Sequence, residues 1–144
     1  MQSFSAIGLF CEDIREEKSG QDTLVGILPD NVAVPSVPGV IPKIGLYVRV
    51  HIYETGKPQK IRIRLKMPGG EETELANLDN LIDKSKKEAA ENAIPYAGII
   101  SKSVISPFKL TSIGKVEAIL EVDDEEFTCG ALNIRIAKKA QPAT

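Results

Sequence analysis

The chain has 144 residues, 42% of them hydrophobic and 26% charged, with a net charge of −2. That length fits one domain with a core able to stand without staples, and that composition excludes a disordered or membrane-spanning chain. The near-balance of charge gives no global attraction to nucleic acid or to an anionic membrane, so neither is an expected partner. The opening Met1-Gln2-Ser3-Phe4 has no basic or apolar region of a signal peptide, and no run of eighteen apolar residues follows. A cytoplasmic location is expected. Cys11 and Cys129 then read as reduced, buried, small hydrophobes.

Ser3 to Cys11 alternates Phe4, Ala6, Gly8 and Phe10 with Ser5, Ile7, Leu9 and Cys11. A period of two predicts a strand. Glu12 to Asp22 reads as a charged loop and Thr23 to Leu28 as a second strand. Asp30 to Pro42 holds Pro35, Pro38 and Pro42. Proline removes ladder donors, so an edge strand or extended crossover is expected there. Ile44 to Tyr53 puts Ile44, Leu46, Val48, Val50 and Ile52 on one face and Gly45, Tyr47, Arg49, His51 and Tyr53 on the other. Lys60 to Met67 repeats this with Ile61, Ile63 and Leu65 inside and Lys60, Arg62, Arg64 and Lys66 outside. Residues 54–58 read as the hairpin turn between them.

Met67-Pro68-Gly69-Gly70 turns the chain into a strand over Glu71 to Leu78. Asn80 to Asn92 breaks the rhythm. Leu81-Ile82 and Ala89-Ala90 sit about two turns apart, which predicts a short surface helix inserted over 80–94, capped by Asp79 or Asn80 and ended by Pro95. Tyr96 to Ser106 returns to strand. Phe108 to Ile136 reads as strand, turn, strand, turn, strand, with Val116, Ala118, Leu120 and Val122 alternating and an acidic turn at 123–126. Residues 137–144 read as a flexible tail. With no repeat or linker, residues 1–144 form a single domain. The expected class is all-β: an immunoglobulin-like β-sandwich of about seven or eight strands with one short helical insertion.

Matching apolar faces pairs Ile52 with Ile61, Val50 with Ile63 and Val48 with Leu65. The outer face then sets Arg49 against Arg64, His51 against Arg62 and Tyr47 against Lys66. Like charges directly opposed are destabilising, so something should offset them. The candidate binding residues are Tyr47, Arg49, His51, Tyr53, Arg62 and Arg64, holding an acidic partner with the tyrosines as stacking surfaces. The bland alternative is internal neutralisation. If Leu65 pairs with Thr73 and Ile63 with Leu75, Glu72 faces Lys66 and Glu74 faces Arg64, and the field cancels.

Glu12, Asp13, Glu16, Glu17 and Asp22 are carboxylates of the kind that bind a hard cation, with Asp79, Asp83, Asp123 and Asp124 as distant contributors. The spacing matches no EF-hand loop, and the plain reading is a solvated loop in which Arg15 pairs with a neighbour. His51 is the sole histidine. A catalytic triad would need it beside a nucleophile, and neither Cys11 nor Cys129 carries a catalytic signature. The glycines form no phosphate-binding fingerprint. No catalytic residue, cofactor or metal is assigned.

The opening 9–18, with Cys11-Glu12-Asp13-Ile14-Arg15-Glu16, continued by Leu24-Val25-Gly26-Ile27, and the close from Gly114 to Ile136 resemble a family of small uncharacterised bacterial and phage β-sandwich proteins. Its members carry a Cys-Asp/Glu-Asp-x-Arg-x-Glu segment after the first strand. The usual aromatic after the late glycine is replaced here by Lys115-Val116. The resemblance implies a β-sandwich, a bacterial or phage origin, and a structural role for Asp13 and Arg15 in holding the turn after the first strand. It brings no activity. The expected role is non-enzymatic: an accessory binding or adaptor protein for a protein partner, or a homo-oligomer, met through an acidic surface. The alternative is a structural component of a phage particle, located in the virion. A hydrolase or metal-binding domain ranks below both.

Overall fold

Two sheets pack face to face in the computed structural model, which describes residues 3–53 and 56–138. The elements run β1 (Phe4–Glu16), β2 (Asp22–Ile27), β3 (Asn31–Val34), β4 (Gly39–Ile41), β5 (Ile44–Tyr53), β6 (Ile61–Lys66) and β7 (Glu72–Asn77). A single 3-10 turn (Asp79–Leu81) then leads into α1 (Ile82–Glu91), followed by β8 (Tyr96–Ile105), β9 (Phe108–Leu110), β10 (Gly114–Val122) and β11 (Glu125–Ile136). One sheet has the order β2-β1-β5-β8 and the other β3-β11-β10-β6-β7, with β4 and β9 forming a small ribbon. The fold is the expected all-β sandwich. It has more than the expected seven or eight strands among the described residues, and the proline-rich stretch, expected as one edge strand or a crossover, supplies both β3 and β4. The edge β3 runs parallel to β11. Residues 12–16, expected as loop, continue β1, and Asp13 to Glu16 pair with β2.

Alternation dictates the core. Leu46, Val48, Val50 and Ile52 of β5 face Ile61, Ile63 and Leu65 of β6 and Val116, Ala118 and Leu120 of β10, all fully buried or nearly so. Each large aliphatic side chain buried this way contributes about 1.5–3 kcal/mol of hydrophobic stabilisation.

The expected hairpin between β5 and β6 does not form. β5 pairs with β1 and β8, whereas β6 pairs with β10 and β7 in the opposite sheet. Inward residues matched by period can meet across a sandwich as readily as side by side, and here they meet across it. The connection carries the chain from one sheet to the other through buried Gly56 and Pro58; Glu54 and Thr55 lie outside the described residues. A Cβ on Gly56 would come within 2.5 Å of the Ser3 carbonyl oxygen, so the crossing hugs the start of β1. Asp123 and Asp79 fix the entry to β6. The Asp123 carboxylate accepts the N–H groups of Gln59 (2.9 Å) and Lys60 (3.0 Å), and Asp79 Oδ1 accepts the N–H of Ile61 (2.8 Å). Asp123 and Asp124 both have positive φ (48° and 71°) and form the two-residue turn between β10 and β11, the twist such a hairpin requires.

The other predicted hairpin forms: Leu65 lies opposite Thr73, Lys66 opposite Glu72 and Arg64 opposite Glu74. An irregularity between Ile63 and Arg64 then sets Ile63 opposite Ala76 rather than Leu75. Elsewhere the sheets touch through backbone. A Cβ on Gly130 of β11 would sit 2.6 Å from the Gly8 carbonyl oxygen of β1. Cys129 fills the bulge beside Gly130 where β11 slips against β10, and its thiol donates weakly to the Ala118 carbonyl (3.4 Å). Burial pushes that thiol up to about 11. Burial also raises the thiol of Cys11, whose sulfur lies over Gly45. Both cysteines are free. Residues 139–144 of the expected tail fall outside the described residues.

Candidate binding cleft beside the four-stranded sheet

The crossing of β5 to β6 divides the predicted basic face in two. Arg62 and Arg64 stand on the outer face of the five-stranded sheet. Tyr47, Arg49, His51 and Tyr53 stand on the outer face of the four-stranded sheet, on the far side of the core. The opposition of Arg49 to Arg64 therefore does not exist. Arg49 lies between Ile7 of β1 and Ile100 of β8, and Arg64 between Ile119 of β10 and Glu74 of β7.

On the five-stranded sheet the charges cancel locally. The half-buried Arg64 donates to Glu121 (2.8 Å) and to Glu126, and its Nε lies 3.5 Å from Glu72, an ion pair without hydrogen-bond geometry. Glu126, then Glu72 and Glu121, raise the guanidinium further above its already high range. Arg62 binds Asp79 (3.2 Å). The Ile61 N–H first, and Arg62 second, hold the Asp79 carboxyl below its usual range. Asp79 is thereby used by β6 and not as a helix cap; α1 has no side-chain cap.

The four-stranded sheet is different. Its outer face exposes Ile7, Ile27, Ile100 and Val104, each 38–56% accessible. Lys102 is bound by Glu16 and Asp22 (both 2.9 Å), and Asp13 by Lys43 (3.0 Å). The Asp13 contact lowers its carboxyl, with Lys43 the main cause. Asp13 thus ties β1 to the chain entering β5, and Arg15 makes no ion pair among the described residues. Arg49 also has no carboxylate partner among the described residues. His51 stacks on Tyr96 with ring centroids 4.3 Å apart. The Tyr53 hydroxyl shares a hydrogen bond with Ser5 Oγ (3.0 Å).

Helix α1 turns this face into a cleft. Ala93 adopts a left-handed φ of 54°, the Ile94 N–H reaches the Ala89 carbonyl (2.9 Å), and the Ala93 N–H reaches that of Ala90. This is a Schellman termination with alanine where glycine is usual, so the helix ends before Pro95 is reached. It throws Ile94 back against Ala89 and starts β8 at Tyr96. The result is a cleft of about 300 Å³. Its sheet wall is Arg49, His51, Tyr96, Gly98 and Ile100, and its helix wall includes Ser85, Glu88 and Asn92. Tyr96, Gly98 and Glu88 are missing from the predicted site. Tyr96 and Gly98 alternate onto one face of a predicted strand, but only the β5–β8 pairing, with His51 opposite Gly98, brings them to Arg49.

The predicted carboxylate contributors do not converge. Asp79 and Asp123 serve β6, Glu16 and Asp22 serve Lys102, and among the described residues no three acidic, histidine or cysteine side chains are placed to hold one metal ion. Cys11 lies opposite Gly45, at the far end of β5 from His51. No helix among the described residues is long and apolar enough to cross a membrane.

The fold and cleft define a β-sandwich with a helix-walled groove on one sheet. The chain belongs to DUF6941, a family of unknown function, which matches residues 6–136. No curated protein and no solved structure matches it.

Proposed function

We propose that this chain is a non-enzymatic accessory or adaptor module that holds a protein partner on the outer face of its four-stranded sheet. One observation carries the reading: Ile7, Ile27, Ile100 and Val104 stand exposed on the same face as Tyr47, Arg49 and Tyr96. Contiguous exposed apolar surface on a soluble domain marks an interaction site. Aromatic residues and arginine, with few free lysines and carboxylates, are the composition of an interface centre. The unmatched Arg49 selects a partner that brings an acidic group. The Cys11-to-Glu16 segment supports a bacterial or phage origin by resemblance, which puts the module in the cytoplasm or, for a phage product, in the virion.

A photo-crosslinking residue placed at Ile7, Val104 or Glu74 in the cell of origin tests this. Adducts of one defined mass from Ile7 and Val104, and none from Glu74 on the other sheet, are expected. Equal adducts from both faces, or none from either, would overturn the reading. Adducts only to further copies of this chain, with a fixed assembly mass by light scattering, would favour the structural role in a phage particle.

A further inference from the structure

We infer that the cleft between α1 and strands β5 and β8 takes a carboxylate-bearing extended segment of the partner protein, with Arg49 as its anion contact and Gly98 as the floor over which its backbone passes. This rests on the reading of the four-stranded face as the docking surface. Three observations support it.

First, Arg49 is a sheet-face cation with no carboxylate partner among the described residues, and it is the one lysine or arginine that lines the cleft. Arg62, Arg64, Lys102 and Lys115 each reach a carboxylate, whereas the cross-strand neighbours of Arg49 are Ile7 and Ile100. Arg49 is exposed, and a guanidinium with no carboxylate beside it is free to bind a planar carboxylate in two-pronged fashion.

Second, Gly98 has no reason internal to the fold. It lies inside a strand, its φ is outside the left-handed region, and a Cβ there would meet only His51 Cδ2 at 4.0 Å, an ordinary contact. Gly8, Gly56 and Gly130 contrast with it, since each is pressed against backbone or sulfur. Glycine weakens a strand, and where packing does not require it, it marks close approach by a ligand or another backbone. At Gly98 that space opens into the cleft.

Third, the two walls differ in sign. Glu88 stands on the helix wall and Arg49 on the sheet wall. A bare polyanion attracted by Arg49 is repelled by Glu88. A peptide brings one carboxylate and several backbone donors, which suit both walls. The stacked His51–Tyr96 pair adds a flat apolar surface for a neighbouring side chain.

The test is a two-dimensional NMR titration of the full chain with the blocked tripeptide acetyl-Val-Glu-Val-amide, its glutamine counterpart and inorganic phosphate. Shifts should group at Arg49, Gly98 and Ile100 with the glutamate peptide. The glutamine peptide should bind about tenfold more weakly, as should the glutamate peptide to Arg49→Ser. Gly98→Val should abolish binding while leaving the thermal midpoint unchanged or higher, since valine suits a strand better than glycine. Gly98→Ala is the milder version and should weaken binding severalfold. Equal binding of the two peptides, binding that survives Gly98→Val, phosphate binding as tight as the peptide, or no shifts at all would overturn the inference. Should the cleft fail while crosslinks at Ile7 and Val104 persist, only the cleft assignment falls; loss of the crosslinks removes the docking face itself.

Discussion

Both outer faces of this sandwich carry arginines, and they surround them differently. On the five-stranded sheet, Arg64 is enclosed by Glu72, Glu121 and Glu126, Arg62 by Asp79, and Lys115 by Glu117. On the four-stranded sheet, Lys102 is similarly enclosed, but Arg49 stands between two isoleucines beside a cleft. A count of basic residues on a face therefore says little about binding. What distinguishes Arg64 from Arg49 is whether carboxylates lie within reach of the guanidinium, because such neighbours both fix the side chain and cancel its field.

The most severe way to break the comparison is to disturb the contact that sets the two faces apart. Gly130→Ala would place a methyl 2.6 Å from the Gly8 carbonyl oxygen. Backbone cannot swing aside as a long side chain can, so β1 and β11 must separate. A loss of about 2–3 kcal/mol is expected by urea unfolding. A loss under about 0.5 kcal/mol would mean that the sheets are not held together at this crossing.

A smaller change sharpens the contrast. Arg64→Ser leaves Glu72, Glu121 and Glu126 facing one another with no cation between them. Arg64 is only 17% exposed in its side chain and serves several partners, which lifts it above an isolated surface pair. A loss of about 1–2 kcal/mol at neutral pH is expected, partly recovered in high salt as the carboxylate repulsion is screened. A variant as stable as the parent would show that these ion pairs contribute nothing net.

The sequence located most of the strands and the β6–β7 pairing but misplaced the partner of β5, for a physical reason. Period-two alternation is a local property, and it survives in Ile44–Tyr53, Ile61–Lys66 and Gly114–Val122 whatever lies beside them. Pairing is not local. Ile52 and Ile61 satisfy the same inward requirement as neighbours in one sheet or as opposites across the core, and the residues between them decide which. Buried Gly56 and Pro58 were visible in the sequence as turn formers, but their turn is a crossing rather than a hairpin. The site divided along the same line. Arg49, His51, Tyr47 and Tyr53 do share a face, because they alternate within one strand. Arg62 and Arg64 were joined to them only through the mistaken pairing. Tyr96 and Glu88 were invisible as site residues, because the helix end at Ala93 and the β5–β8 register are needed to bring them in. Asp79 was legible as a polar residue at a helix start, but the backbone of β6 claims its carboxylate first.

The smallest expected effect is the most informative about the comparison. Arg49→Ser should change stability by no more than about 0.5 kcal/mol, as for an exposed residue with no cap, buried bond or paired charge to lose. What remains is the aliphatic stem lying between Ile7 and Ile100, worth some tenths of a kcal/mol of packing. The change should also be insensitive to salt, since no carboxylate partner is left behind. Measured beside Arg64→Ser under the same conditions, the pair isolates what neighbouring carboxylates do to an arginine on a sheet. A loss above about 1 kcal/mol at Arg49, or one that shrinks with salt, would place it in the fold's own charge network. The two faces would then be alike, and Arg49 would have no charge left to offer a partner.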